Sequence, residues 1–242
     1  MPRVSKILPL TVAVAALLVF APGCGSSNTQ IRFVDAMQDG AAMDIDVNGA
    51  KVFTDISFLG VLPSQPGYTT VPSGNDTMQG FLTGTTTVGF NGTSVGWSDS
   101  SKYTVVATGF VSSGQNAAIL SIPDNNSAPP SGDVNFRVIH ASPSGPGSVD
   151  SYIEPAPFNG SLQGLSATIS SLAYEQGSSY LPIAYNANGS GYMVYVTASG
   201  NQVPIFSESI NNPMGSIRTL VLTDVQDGTS MNPAFLVLPD LN

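Results

Sequence analysis

Ile31-Arg32-Phe33-Val34-Asp35-Ala36 recurs later in the chain as Phe136-Arg137-Val138-Ile139-His140-Ala141, and Ala118-Ile119-Leu120-Ser121-Ile122-Pro123-Asp124 recurs as Ala234-Phe235-Leu236-Val237-Leu238-Pro239-Asp240. Between these ends, Ile56-Ser57-Phe58-Leu59 matches Ile169-Ser170-Ser171-Leu172, and Tyr103-Thr104-Val105-Val106 falls where Arg218-Thr219-Leu220-Val221 stands. First and last segments repeat in the same order, so each half is a complete unit rather than a fragment of a larger one. Residues 125–132, polar and rich in proline, read as the linker between units at 31–124 and 133–242. On this reading a protease cuts the linker first and releases two protected fragments.

Within each copy the apolar period is two. Met43, Ile45 and Val47 alternate with Asp44, Asp46 and Asn48; Asn48-Gly49 is a strong hairpin signal, and Ala50-Lys51-Val52-Phe53 returns. Further strands are expected at 85–90, 103–110, 191–198, 203–207 and 217–222. Beyond the N-terminal segment no stretch keeps a helical period with caps. Short strands with turn residues roughly every 8 to 12 positions predict an all-β chain of two tandem immunoglobulin-like antiparallel sandwiches, about a hundred residues each. Trp97, the single tryptophan, is expected in a Ser/Asp-rich loop.

Arg137-Val138-Ile139-His140-Ala141-Ser142-Pro143, followed by Gly147-Ser148-Val149-Asp150, resembles the opening signature of the bacterial domain of unknown function family 4397. The hairpin from Met43 to Gly49 is similar to that family's second strand and turn. The resemblance spans both copies, roughly residues 31–240, and is weaker in the first, where Asp35 replaces the histidine and Met37-Gln38 replaces Ser-Pro. It implies an exported, often lipid-anchored protein built of tandem β-sandwiches, with no activity established for the family. Because Asp35 departs from the pattern, a functional role shared by both copies is not implied for His140.

The N-terminus carries an address. Arg3 and Lys6 precede an apolar run from Ile7 to Phe20, which gives way to Ala21-Pro22-Gly23-Cys24-Gly25-Ser26-Ser27. That run is shorter than the roughly 20 residues a spanning helix needs, and a small residue directly precedes the only cysteine. Residues 1–23 therefore read as a lipoprotein signal, Cys24 as the acylated residue, and 24–30 as a tether. The alternative is ordinary signal cleavage near Ala21, leaving a free thiol; Ala21 and Pro22 depart from a strong lipobox. Acylation makes the membrane a partner through Cys24, since each buried methylene is worth about 0.8 kcal/mol. Gly25 after the cysteine points to the outer membrane or cell surface.

Loss of Arg3 and Lys6 leaves five basic residues against sixteen acids, a balance of −11. Such a surface repels phosphate backbones, so nucleic-acid binding is not expected. Asp44-x-Asp46-x-Asn48-Gly49 with Asp55 has the spacing of a calcium loop, but it alternates as a strand and lacks flanking helices, so a plain hairpin is the better reading and no metal is assigned. Gly92-Thr93-Ser94-Val95-Gly96 matches the nucleophile-elbow pattern, yet Trp97-Ser98-Asp99-Ser100-Ser101 follows instead of a helix, and the only available base, His140, lies in the other copy. His140 is read as a structural residue bonding the turn from Ser142 to Ser148. Tyr174, Tyr180, Tyr185, Tyr192 and Tyr195 offer stacking surface for sugars, although half-buried packing is the commoner use of a strand tyrosine. No catalytic residue and no cofactor is assigned. The expected function is a non-catalytic envelope module binding a protein or glycan partner or serving as a scaffold; the alternative is a hydrolase using Ser94.

Overall fold

The computed structural model describes residues 27–111, 117–227 and 230–240, and among them no helix forms. Residues 1–23, where a lipoprotein signal is expected, and Cys24 lie outside the described residues. Nine strands make the first module: β1 (Asn28–Asp35), β2 (Met43–Val47), β3 (Ala50–Ile56), β4 (Val61–Leu62), β5 (Thr69–Pro72), β6 (Gly74–Leu82), β7 (Val88–Trp97), β8 (Lys102–Thr108) and β9 (Ala118–Pro123). Nine more make the second: β10 (Asp133–His140), β11 (Ser148–Pro155), β12 (Ile169–Ala173), β13 (Gln176–Gly177), β14 (Leu181–Ala184), β15 (Tyr192–Ala198), β16 (Pro204–Ile210), β17 (Ile217–Asp227) and β18 (Ser230–Pro239).

The two sets are wired identically. An outer sheet runs β3-β2-β6-β7 in the first module and β12-β11-β15-β16 in the second. An inner sheet runs β4-β1-β8-β9, with β5 also on β1, and its counterpart runs β13-β10-β17-β18, with β14 on β10. The tandem all-β sandwich expected from the repeat is what forms. One pair in each inner sheet is parallel, however: β1 lies along β8 with Arg32 opposite Thr104, and β10 along β17 with Arg137 opposite Thr219.

Alternation decides what each face does. Met43, Ile45 and Val47 enter the first core with Phe33, Phe53, Met78 and Trp97, and the turn behind them closes through Asn48 at φ 52° and Gly49 at φ 76°, the left-handed pair that a two-residue hairpin requires. Phe136, Tyr192, Val194 and Leu220 fill the second core. On the opposite face of the inner sheets Val34, Ala36, Val106 and Leu120 meet Ile139, Ala141, Val221 and Leu238 in a third buried cluster. The inner sheets thus pack on each other, and the molecule is a stack of four sheets in the order outer, inner, inner, outer.

Two expectations need correction. Trp97 is the last residue of β7 rather than a loop residue; it is 3% exposed and donates Nε1–H to Ser121 Oγ at 2.9 Å. The strand expected at 85–90 is instead Val88–Trp97, because the register on β6 slips between Met78 and Gly80, and that irregularity lets Phe90 and Val95 both point inwards despite an odd spacing. The linker expectation also changes in meaning. Residues 125–132 are largely exposed, but the units they join share a buried apolar interface.

Candidate functional site

The densest chemistry in the molecule lies at the seam between the inner sheets. Arg32 and Arg137, two of the five Lys and Arg residues beyond position 23, are each 1% exposed. An unpaired buried guanidinium is costly, so its partners decide whether the seam holds. Each arginine reaches across to an aspartate that ends the last strand of the other module. Arg32 Nη2 bonds Asp240 Oδ1, and Arg137 Nη2 bonds Asp124 Oδ1 at 2.6 Å. Within each module a threonine and a tyrosine complete the carboxylate shell. Thr104 donates to Asp124 at 2.8 Å and Tyr68 at 2.6 Å; Thr219 donates to Asp240 at 2.7 Å and Tyr180 at 2.8 Å. The tyrosine rings lie against the arginines, Tyr68 5.5 Å from Arg32 and Tyr180 4.4 Å from Arg137.

Backbone contacts repeat the exchange. Arg137 Nη1 donates to Pro123 O at 3.0 Å and Arg32 Nη1 to Pro239 O at 3.5 Å. Thr108 donates to Ala141 O at 2.7 Å and Thr223 to Ala36 O at 3.3 Å. The main contacts of one module have their mates in the other, the pattern of a two-fold interface written into one chain. Burial works against the Arg32 charge, but the carboxylates of Asp240 and Asp124 outweigh it and raise its pKa above the ordinary value. Burial, with the neighbouring carboxylates, raises Tyr68 and Tyr180 as well, so both hydroxyls stay protonated donors. The two arginines and two aspartates cancel in charge, and their hydrogen bonds are met. Such a cluster locks sheets together and leaves no group free to react.

His140, at the end of β10, is fully buried. Its Nε2 bonds Pro146 O at 2.8 Å and its Nδ1 accepts from Ser142 N at 3.4 Å; a carbonyl only accepts, so the ring carries its proton on Nε2. Ser142 Oγ donates to Asp224 Oδ1, and Ser144 N donates to Asp224 Oδ2 at 2.9 Å. A serine, a histidine and an aspartate do meet here, but the serine bonds the aspartate, not the imidazole, and all three are shut from solvent. Burial pushes the His140 pKa down despite the Pro146 carbonyl. The expected structural role, bonding the turn after the first strand, is the geometry found. At the same place in the first module stands Asp35, also fully buried. Its Oδ1 accepts from Met37 N at 2.9 Å, its Oδ2 has no partner, and burial pushes its pKa up to about 7.

The calcium-like spacing resolves into hairpin buttressing. Asp44 accepts from Lys51 Nζ at 2.6 Å, from Asp55 N at 3.0 Å and from Thr83 Oγ1 at 3.3 Å. The Lys51 hydrogen bond, with the Asp55 amide, draws its pKa down to about 2. Asn48 is engaged with Asp76 at 2.6 Å and Thr77 N at 2.9 Å. Asp150 repeats the Asp44 role in the second module, accepting from Ser171 N at 2.6 Å and Gly200 N at 2.8 Å. Asp55 and Ser171, the two residues so held, both sit at positive φ, 55° and 53°. The carboxylate therefore braces a left-handed residue in each copy. Among the described residues no cluster of three His, Cys, Asp or Glu side chains is arranged to hold a metal.

Ser94 lies in the middle of β7, exposed and paired with Thr77, and not on a strand-to-helix turn. The five tyrosines scatter: Tyr174 on His140, Tyr180 on Arg137, Tyr192 edge-on to Phe136 in the core, Tyr195 on Phe158, and Tyr185 packed against the second core. They form no common groove. Among the surface depressions are one of about 420 Å³ where the end of β9 meets Gly177–Tyr180, one of about 240 Å³ between β7 and Phe110, and one of about 200 Å³ on the outer sheet of the first module. Sequence reading missed the seam's arginines and aspartates, although both appear in the quoted repeats at matching positions.

Fold and seam define the class: a β-sandwich protein whose two copies are welded face to face. The model of the Domain of unknown function (DUF4397) family matches residues 29–152, just over half of the sequence, and the chain belongs to that family. None of the curated proteins matches. Among solved structures, the Bacillus anthracis TIE protein is similar at 11% identity with a TM-score of 0.23, over 88% of this chain and 43% of that one. The chain thus spans under half of that protein, and a likeness so slight bears on neither fold nor function.

Proposed function

We propose that the protein is a non-catalytic module of the cell envelope, held to a membrane through acylated Cys24, whose two welded sandwiches act as one rigid body offering its outer surfaces to a protein or glycan partner. The observation that carries this reading is where the reactive side chains go. Arg32, Arg137, Asp124, Asp240, His140, Ser142 and Asp224 are all spent on the seam or on the turn beside it, and they fix shape rather than face solvent. The exposed surface presents polar loops on a rigid scaffold, the usual place for recognition.

Two measurements test it. Cys24→Ser should move the protein from the membrane fraction to the aqueous one; a wild type already aqueous and without acyl mass overturns the anchoring. An esterase screen on the mature chain should find no turnover. Hydrolysis that disappears in Ser94→Ala would put the hydrolase reading in its place.

A further inference from the structure

The two outer sheets, equivalent in wiring, are dressed differently. In the second module the connection between β11 and β12 folds back over the outer sheet: Leu162 is 4% exposed, Phe158 stands edge-on to Tyr195 at 5.8 Å, and Tyr195 donates to Phe158 O at 3.1 Å. Gln202 fastens the same segment through Leu165 O at 2.9 Å, and Tyr152 beneath it is 3% exposed. In the first module that connection is the Asn48-Gly49 turn alone, which leaves the face without that cover. Asp44 and Asp150 hold the same brace, so Asp46 stands where Tyr152 does; by strand pairing Gln79 stands where Tyr195 does.

We infer that this uncovered face of the first module, at the depression lined by Asp46, Lys51, Phe81, Thr85 and Thr86, is a subsite for one neutral sugar residue. The inference rests on the binding role proposed above and names its ligand class. Size is the first ground: about 200 Å³ lies below the roughly 300 Å³ at which pockets for drug-sized ligands begin, so the depression takes a single ring.

Charge is the second. Lys51 Nζ holds Asp44 at 2.6 Å with its side chain half exposed, and an ammonium has three protons, so it retains donors for a ligand. Asp46 Oδ1 has no hydrogen-bond partner, and the carboxylate torsion is soft enough to turn it toward an incoming donor. Asp44, Asp46 and Lys51 sum to −1, which repels an anionic ligand, while Lys51, already held by Asp44, still presents donors at the site. A neutral hydroxyl satisfies both sides, donating to Asp46 and accepting from Lys51, while the apolar face of a sugar ring lies on Phe81.

The test is an NMR titration of the mature chain, reading backbone amide shifts against methyl glycosides of neutral hexoses and N-acetylhexosamines, with glucosamine and glucuronate as charged controls. The expected result is a saturable response from at least one neutral glycoside, confined to residues 46, 51, 81, 85 and 86 and their neighbours. Asp46→Asn, a surface change, should weaken that response about tenfold with the amide spectrum otherwise intact; Phe81→Ala should weaken it as well. No response from any neutral glycoside, a stronger response to either charged control, or shifts gathered instead at 122–125 and 177–180 each overturn the subsite. None of those outcomes touches the non-catalytic reading, which fails separately through turnover.

Discussion

The seam and the outer faces of this molecule treat the same duplication in opposite ways. Across the seam the copies match bond for bond, Arg32 with Arg137, Asp124 with Asp240, Thr104 with Thr219, Tyr68 with Tyr180. On the outer faces one copy is bare and the other is roofed by its own 156–168 segment. A two-fold contact makes each residue answer to two surroundings at once, so a change on one side spoils a pair on the other. An outer face answers only to its own module and is free to differ.

The largest effect should come from breaking that symmetry. Arg137→Met leaves Asp124 buried without its cation, and we expect a loss of about 3–5 kcal/mol in denaturant midpoint analysis. Arg32→Met should cost a similar amount, and the double variant less than the sum, because Arg32 Nε also lies 3.7 Å from Asp124. A loss below about 1 kcal/mol for either single variant would mean the apolar part of the seam holds the modules without the ions.

The next effect sharpens the one place where the seam-side copies disagree. Asp35 and His140 occupy equivalent positions with opposite titration. The folded state raises the Asp35 pKa to about 7 from 3.8, so its stabilisation is complete below pH 4 and is lost as pH rises through 7, at most about 4 kcal/mol. Burial lowers the His140 pKa, so its contribution is present above about pH 6.5 and is lost as pH falls below that. Asp35→Asn should therefore flatten the decline of stability between pH 4 and 7, and His140→Gln should flatten the loss on the acid side. Melting curves across that range check both; slopes unchanged in the two variants would remove titration from the account.

A smaller effect is expected from Asp150→Ala, which strips the Ser171 and Gly200 amides of their acceptor and should cost about 2 kcal/mol. The smallest should come from the linker. A protease site placed within 125–132 and cut should leave two fragments that elute together at the size of the intact chain, since the buried cluster of Val34, Val106, Ile139 and Val221 does not depend on the connection. Separation on size-exclusion chromatography would restore the picture of two independent units.

Much of the fold was legible. The first and last repeated segments became matching strands in the same order, and Asn48-Gly49 became the turn it predicts. The segment from Ile56 to Leu59, by contrast, runs out of β3 into a turn and aligns three residues away from Ile169 to Leu172, since Asp55 and Ser171 are the equivalent pair. Trp97 was misplaced because a register slip in β7 breaks the alternation that marks strands. The seam stayed hidden for a different reason. An arginine in a strand ordinarily reads as a surface residue, and its partner Asp240 lies 208 positions away, so no local pattern joins them. The repeat held the clue, since Arg32 and Arg137, Asp124 and Asp240 recur in register; only the packing of inner sheet on inner sheet makes them partners. The bare outer face was illegible too, because Asp44 and Asp46 alternate alike along β2, and only side-chain bonding separates the brace from the side chain that faces the depression.

Arg32 is the first charged residue beyond position 23 and Asp240 the last in the sequence, and they are bonded to each other. A ribosome makes the N-terminal module first, so for most of synthesis Arg32 waits without its partner. Until Asp240 has been made and has folded against it, Arg32 carries a buried charge without its cross-module partner, and the N-terminal module should stay open to proteases that the folded pair of modules resists.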